Sequence, residues 1–471
     1  MRNLLCVLLI PMLGFSCYCQ NKQILYGFDD IPQSLLVNPA ADMSQDIHVG
    51  MPFLSQIHFA FGSSGVSAYD VFGNSGGDIN TRIGGLINGI SKFDFFTLNE
   101  QIEIVSFGWK DSKERYWSGG MYQELDFISY FPKDWAILAW DGNASHLEER
   151  FQFRDISFTA ELLSVMHFGV NKKFGKKLRL GARAKLYSNI AHASSTGNEG
   201  VFITRELENS PNIYKHRIVN ANVTVRTSGI QNLSESENAN QVINKVIGRA
   251  FLGGNLGVGL DVGGEYEIGR NWKVSASAID IGAVFHTNDV ETYEATGTHN
   301  LDGIELLFPP LSEGESTFEY YDNVEDNFET DIPVDTITSS YVQLRPLKLN
   351  AAIKYGFGEG SGSQVCDCLD KSTGTQWREE VGLQLYSIMR PKRPQYAVTA
   401  FYLRRFGDYV AAKATYTVDA YSATNVGLGV SSNFGPVNFY VAVDNILTYS
   451  NIAKAKNVSL QLGFNVKLDK E

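Results

Sequence analysis

Between residues 458 and 467 the chain alternates without a break: Val458, Leu460, Leu462, Phe464 and Val466 are apolar, while Ser459, Gln461, Gly463, Asn465 and Lys467 are polar or small. Successive side chains of a strand point to opposite faces, so this segment offers one face to hydrocarbon and the other to water. Strands of soluble sandwiches are usually about five or six residues long, whereas a tilted strand needs about ten to cross a bilayer. The register puts Leu462 in lipid and Gln461 in a lumen.

The pattern repeats. Leu178, Leu180, Ala182, Ala184 and Leu186 alternate with Arg179, Gly181, Arg183, Lys185 and Tyr187, and a face bearing three cations cannot point into lipid. Long candidate strands also occupy Ile47 to Phe61, Gln101 to Trp109, Tyr116 to Phe131, Phe151 to Val170, Phe251 to Ile268, Trp272 to Phe285 and Tyr341 to Phe357. Further on come Gln376 to Met389, Gln395 to Arg404, Tyr409 to Val418, Ser422 to Ser432 and Val437 to Tyr449. Together these make about fourteen. The expected fold is all-β, a transmembrane antiparallel up-and-down β-barrel over residues 47–467 with an N-terminal lumenal hatch.

Connections sort as a barrel requires, into short turns at one end and long loops at the other. If the first strand rises and the last descends, the tight turns at Asn171 to Lys177, Gly269 to Asn271, Phe406 to Asp408 and Asn433 to Pro436 share the periplasmic side. The acidic connection Thr287 to Ser340 then falls outside, and the connection holding Cys366 and Cys368 falls with the turns. Ile213 to Arg226 also reads as a strand, but a crossing there would leave an odd number. It is placed, with the helical-looking Asn240 to Ala250, in an external excursion over 191–249. Trp109, Tyr116, Trp117, Tyr130, Phe131, Trp135, Trp272, Phe285, Trp377, Tyr409, Phe434 and Tyr449 gather at expected strand ends, where headgroup-level aromatic girdles belong.

The chain begins with Arg2, runs apolar from Leu4 to Phe15 and reaches Cys17-Tyr18-Cys19 before Gln20. That apolar run is short of the roughly 20 residues a permanent span needs, and it reads as a secretory signal peptide over 1–19, cleaved near Cys19-Gln20. A lipidated Cys17 or Cys19 is the weaker alternative. Residues 20–46 follow, with Ile24, Leu25, Tyr26, Phe28, Leu35, Leu36 and Val37 around the rigid Asn38-Pro39 step. A proline biases the residue before it toward an extended shape, and these apolar side chains find their nearest burial inside a barrel. This segment is the expected hatch.

A net charge of -12 argues against a nucleic-acid partner, since such binding is dominated by cations on phosphates. The eight histidines show no metal-ligand spacing, and neither a Gly-x-Ser-x-Gly elbow nor a P-loop occurs. The expectation is a non-enzyme without cofactor or metal. His167 with nearby Ser164 could be forced into a phospholipase role, but a lone strand histidine is more often structural. The acidic run at Asp322 to Asn327 lacks EF-hand spacing, and Cys366 with Cys368 makes no zinc site without further ligands. Asp261, Asp280 and Asp444 sit in small-residue strands and should face the lumen. There they would pair with Arg179, Arg183 or Lys185 to hold the interior segment, the favoured reading, or would touch a passing ligand.

The Asn38-Pro39-Ala40 triplet resembles the N-terminal region of FadL-type outer-membrane transporters and their PorV-like relatives. Gly257 to Gly263 with Tyr266, Trp272 and Ile279-Asp280-Ile281-Gly282 look like adjacent barrel strands of that group. So do Leu344-Arg345-Pro346-Leu347-Lys348-Leu349 leading to Tyr355-Gly356-Phe357, and Ala442-Val443-Asp444-Asn445-Ile446-Leu447. Ser129 to Asp134 is similar to a Bacteroidota family of FadL-like barrels of unknown function. The resemblance implies fourteen strands, a hatch in the lumen, a lateral opening and an outer-membrane location among lipid. It also implies either passage of a hydrophobic small molecule or, in the PorV-like case, docking of a secretion or surface protein.

Overall fold

Strands whose two faces differ so sharply cannot be satisfied by an open sheet in a bilayer, because its edges would leave unpaired backbone groups in hydrocarbon. In the computed structural model the sheet closes. The structure describes residues 22–73, 78–206, 214–236, 238–301, 334–358 and 377–469. The signal segment 1–19, Cys366, Cys368 and most of the acidic connection fall outside the described residues. Fourteen antiparallel strands form the wall: β1 (Ile47–Gly50, resuming as Ile57–Ser63), β2 (Phe95–Lys110), β3 (Arg115–Tyr130), β4 (Phe158–Phe174), β5 (Leu178–Ser195), β6 (Asn255–Ile268) and β7 (Trp272–His286). They continue as β8 (Tyr341–Leu344, resuming as Lys348–Phe357), β9 (Glu379–Ile388), β10 (Gln395–Phe406), β11 (Val410–Val418), β12 (Asn425–Phe434), β13 (Val437–Asp444) and β14 (Asn457–Leu468). Each pairs with its sequence neighbour, and β14 closes on β1 with Val466 opposite Val49 and Leu462 opposite Ile57.

Burial is inverted relative to a soluble protein. On β14, Leu460 is 43% exposed while Gln461 is 3% exposed, so the apolar face looks outward and the polar face inward, as in a barrel surrounded by lipid. The tight turns at 111–114, 175–177, 269–271, 407–409 and 435–436 lie at one end of the wall, together with the start of β1 and the finish of β14. The wall is uneven in height: β2 to β7 run for 14 to 18 residues, and β9 to β14 for 8 to 12.

Several boundaries depart from the alternation pattern. Strand β1 is not continuous from Ile47 to Phe61. Gly50 sits opposite Asn465 and Ile57 opposite Leu462, so the chain between them has more residues than the ladder can hold. The surplus leaves the wall with Met51, Phe53 and Leu54 exposed and Phe53 in the left-handed region at φ 60. Strand β8 breaks at Arg345 to Leu347 around Pro346, which has no N–H for a ladder. Tyr214–Ser228 is not a wall strand: it pairs with Glu199–Glu206 and Val290–Leu301, and touches β5 only at His192 to Ser194. Val334–Ile337 adds to the far side of Val290–Leu301, so a small sheet stands beyond the long-loop end of the wall.

The aromatic placement is also corrected in part. Trp109, Trp117 and Phe168 stack on one another outside the wall near the tight turns, and Tyr409 and Phe434 are exposed there. Tyr116 and Tyr130 instead point inward. The Tyr116 hydroxyl lies 2.6 Å from His48 Nδ1, and Tyr130 packs with Phe95, Ile128 and Tyr421. A phenol with a polar partner gains more from the polar lumen than from the headgroup level.

Candidate functional site: the filled lumen

The interior is occupied by the protein's own N-terminal segment. Residues 22–46 contain one short 3-10 helix, Pro32–Leu36, and otherwise turn through short backbone bonds such as Phe28 N to Leu25 O and Val37 N to Ser34 O. Their main-chain polar groups are met by wall side chains from several directions. Arg183 on β5 donates to Leu35 O and Leu36 O, each at 2.9 Å. Lys413 on β11 donates to Ile24 O at 3.0 Å and Tyr26 O at 2.6 Å. Ser277 on β7 donates to Val37 O at 2.7 Å, and Lys467 on β14 donates to Asp30 O. Side-chain pairs add Lys354 to Asp29 at 3.1 Å, Arg405 to Asp30 at 2.9 Å, and Arg179 to Asp42.

The Asn38-Pro39-Ala40 triplet fits a niche made by missing side chains. A Cβ on Gly181 would come within 2.2 Å of Pro39 O, and one on Gly263 within 2.2 Å of Asn38 Oδ1. Asn38 bends its own backbone, its Oδ1 accepting from Ala40 N at 3.0 Å, and its Nδ2 reaches Glu265 at 3.3 Å. Asn171 Nδ2 donates to both Pro39 O and Ala41 O at 3.2 Å. Across the lumen, Ile24 rests on Gly427 and Gly429, where an added Cβ would meet it at 2.9 and 2.6 Å.

Two kinds of lining surround the segment. On β3 to β8, charges pair from strand to strand. Arg183 binds Asp261 at 2.5 Å; Lys185 binds Asp280 at 2.5 Å and Asp261 at 3.0 Å. Lys348 bridges Asp280 at 2.8 Å and Glu124 at 3.1 Å, and Arg345 joins Glu124 to Glu161. Buried charges require this kind of pairing. The local backbone is shaped around it: the β6 ladder shifts register at Asp261, Asp280 takes a left-handed φ of 65, and Asp261 Oδ1 accepts from Asp280 N at 2.7 Å. On β10 to β13 the charges are few, Arg405, Lys413 and Asp444, and between them Leu403, Ala411, Tyr440 and Ala442 form a cluster with Ile24, Leu25, Phe28 and Ile31.

Of the residues singled out from sequence, Arg183, Lys185, Asp261 and Asp280 come together in one network, and Arg179 stands apart on Asp42. Asp444 is on the opposite side of the lumen, where its carboxylate accepts from Ser459 Oγ at 2.6 Å. Ser164 and His167 lie an odd number of residues apart on β4, in a stretch of regular pairing, so they point to opposite faces and do not form a catalytic pair. Glu124, Glu161, Arg345, Lys348, Lys354, Arg405 and Lys413 were not singled out. All but Arg345 stand on the inward face of a strand, so strand parity marks them; Arg345 lies in the break of β8 and parity does not reach it.

Beside Lys22, Tyr122, Glu124, Lys185, Asp280 and Lys348 lies a cavity of about 40 Å³, space for about one or two waters. Among the described residues no group of three or more His, Cys, Asp or Glu is placed to hold a metal ion.

Residues 39–444 match the model of a family described as a family of unknown function, DUF5723. No curated protein matches. Among solved structures the chain is similar to the toluene transporter TbuX of Ralstonia pickettii, at 10% identity and a TM-score of 0.40, over 93% of this chain and 94% of that one. A deltaS2S3 mutant of the monoaromatic hydrocarbon channel TodX gives 10% identity and a TM-score of 0.41 over 97% of both chains. A FadL homologue of Pseudomonas aeruginosa gives 10% and 0.40, over 93% of this chain and 94% of that one. Likeness at this level says nothing about what enters the lumen. A family match that spans most of the chain, on a closed fourteen-stranded wall, makes this protein a member of the DUF5723 family.

Proposed function

We propose that the protein is a FadL-like outer-membrane barrel that passes a small hydrophobic molecule, with residues 22–46 as the hatch that closes it. The observation that carries this reading is the contact of Ile24, Leu25, Phe28 and Ile31 with Leu403, Ala411, Tyr440 and Ala442. The segment covers this apolar lining, and a second, smaller cluster joins Leu36 to Tyr122, Leu163, Val165, Tyr187 and Val284 on the charged side. A molecule that displaces the segment there must be apolar to compensate the exposed surface. The hydrogen bonds that tether the segment are worth roughly 1 kcal/mol net each between neutral groups and about 1.5 to 3 where an Arg or Lys donates, so they can be exchanged a few at a time. The tight-turn end faces the periplasm and the long-loop end the exterior, as short turns and long loops are disposed in bacterial barrels.

The test is conductance in planar bilayers. Deleting Ile24 to Val37 should leave a folded barrel that conducts ions, while the intact chain stays nearly closed. Equal conductance would mean that something else blocks the lumen. A second reading, a PorV-like barrel that docks a secretion or surface protein, is favoured by the sheet of Glu199–Glu206, Tyr214–Ser228, Val290–Leu301 and Val334–Ile337 beyond the wall. Purification in mild detergent with mass spectrometry separates the two. A lipophile lost on Leu403→Glu supports the channel, and a protein lost on removing the sheet supports docking.

A further inference from the structure

We infer that the helix Ala239–Gly248 and the turn Arg249–Gly253 after it lie in the rim of the bilayer, outside the barrel wall, with their apolar side chains among the acyl chains. The helix belongs to the connection between β5 and β6 and is pinned by one row of residues. Lys245 Nζ donates to Asn232 O at 2.5 Å and Ser236 Oγ at 3.0 Å. One turn on, Arg249 donates to Ile190 O at 3.1 Å, to Gly229 O and to Asp289 at 2.8 Å. Residues four apart share a helix face. The row through Ile243 and Ile247 is offset by two residues, about 200° of rotation, and so looks away from the protein.

Those side chains are exposed: Ile243 53%, Ile247 51%, and past the helix Phe251 59% and Leu252 41%. The only charge in the helix is Lys245, and it is turned toward the protein.

The place where the turn lands identifies the surroundings. Arg249 O accepts from Ser188 Oγ at 2.5 Å, and Ser188 follows Tyr187, which lies in the lumen beside Leu36. Ser188 therefore points out of the wall, and the turn covers it from outside. Gly254 permits this closeness, since a Cβ there would stand 2.0 Å from Asn189 O. The chain then enters β6, whose Leu256 and Val258 are 44% and 58% exposed. Pairing of Gly257 with Val284 sets Leu256 beside Phe285, itself exposed on the outer face. The exposed apolar residues of the helix and turn thus lead along the chain to the lipid-facing belt of the wall. An apolar helical face at the edge of that belt, with its charge directed elsewhere, suits the interfacial zone of a bilayer.

The inference rests on insertion of the barrel in a bilayer, and the experiment separates the two. In protein spanning residues 20–471 and carrying Cys366→Ser and Cys368→Ser, which leaves no native cysteine, a nitroxide is attached at Ile247→Cys. Parallel samples carry it at Val258→Cys in the belt and at Thr296→Cys on the sheet beyond the wall. After reconstitution in phosphatidylcholine and phosphatidylglycerol vesicles, collisions with oxygen and with a neutral nickel chelate are measured by power saturation. The expected ratio of oxygen to nickel accessibility at Ile247→Cys matches Val258→Cys and is severalfold above Thr296→Cys. A ratio like Thr296→Cys, with Val258→Cys still in lipid, overturns the inference alone, and water contact at both positions overturns the barrel reading as well. A label reached by neither agent, or disulfide-linked pairs of chains, assigns the face to a second copy or another protein and also overturns it. If Ile247→Cys fails to fold, Ile243→Cys carries the same test.

Discussion

On β3 to β8 the lumen is lined by charges that pair mainly with one another, whereas on β10 to β13 charges are few and an apolar patch pairs with the N-terminal segment. The central network of the first lining is complete without the segment: Lys185, Asp280, Lys348 and Glu124 are wall residues bridging wall residues. The second is incomplete, because removing the segment would leave Leu403, Ala411, Tyr440 and Ala442 facing an open lumen. Arg183 belongs to both systems, since one guanidinium holds Asp261 and two carbonyls of the segment. The charged side is therefore a frame whose buried network reaches the segment through Arg183, its latch, with Arg179 on Asp42 and Lys354 on Asp29 as separate ties, and the other side is a seat.

The largest effect should come from the latch. Arg183→Met leaves Asp261 buried with only Lys185 beside it and strands two carbonyls, and breaking a buried pair in this way costs about 3 to 5 kcal/mol. Urea denaturation in detergent should register that loss, and bilayer conductance should rise in the folded fraction. Adding Asp261→Asn should recover part of the stability without closing the pore. A closed pore in both variants would mean that Arg183 serves the frame alone.

The seat should respond differently. Phe28→Ala removes a fully buried ring from the apolar cluster, a change of about 3 to 5 kcal/mol in a well-packed core and nearer the lower figure where the segment can resettle. Protease cleavage within residues 22–46 should become faster while the wall unfolds at its former urea concentration. Coincident loss of wall and segment would show that the two sides are one cooperative unit. A smaller loss, about 1 to 2 kcal/mol, is expected for Lys413→Met, because its partners are the carbonyls of Ile24 and Tyr26 and the face of Phe401. No carboxylate is left behind. Equal costs at Arg183 and Lys413 would erase the distinction between latch and seat.

Much of the wall was legible because a strand's period of two is a local property. Inward Gln461 and outward Leu462 follow from their neighbours alone. The breaks in β1 and β8 each carry a proline, Pro52 and Pro346, that alternation alone passes over, but the size of the β1 surplus shows only in the registers of β14 and β2. Pairing among charges was legible by type and not by partner. Asp261 meets Arg183 because β5 and β6 align them directly, and Asp444, equally embedded in small residues, finds Ser459 instead. Lys413 shares the inward face with Ala411 and Thr415 and could have been found by parity, whereas its carbonyl partners come from a segment nearly 390 positions away.

The smallest expected effect concerns the turn that caps the seat between β11 and β12. Asp419 accepts from Tyr421 N and Ser422 N at 2.9 Å and from Asn425 Nδ2 at 3.0 Å, and so holds Tyr421 against Phe95 and Tyr130. Burial outweighs these donors and pushes the carboxyl up to about 6, from an ordinary 3.8. The folded turn therefore retains a proton that the unfolded chain releases, so stability increases as pH falls through about 6 and is lost as pH rises past it. Between about pH 5 and pH 7 the linkage amounts to roughly 1 kcal/mol. Urea midpoints measured across that interval should fall toward pH 7 in the native protein. The fall should be smaller in Asp419→Asn, which keeps an acceptor but cannot ionise. A slope unchanged by the substitution would place the titrating group elsewhere, and this turn would then lack the pH sensitivity that sets it apart from the charge-balanced frame.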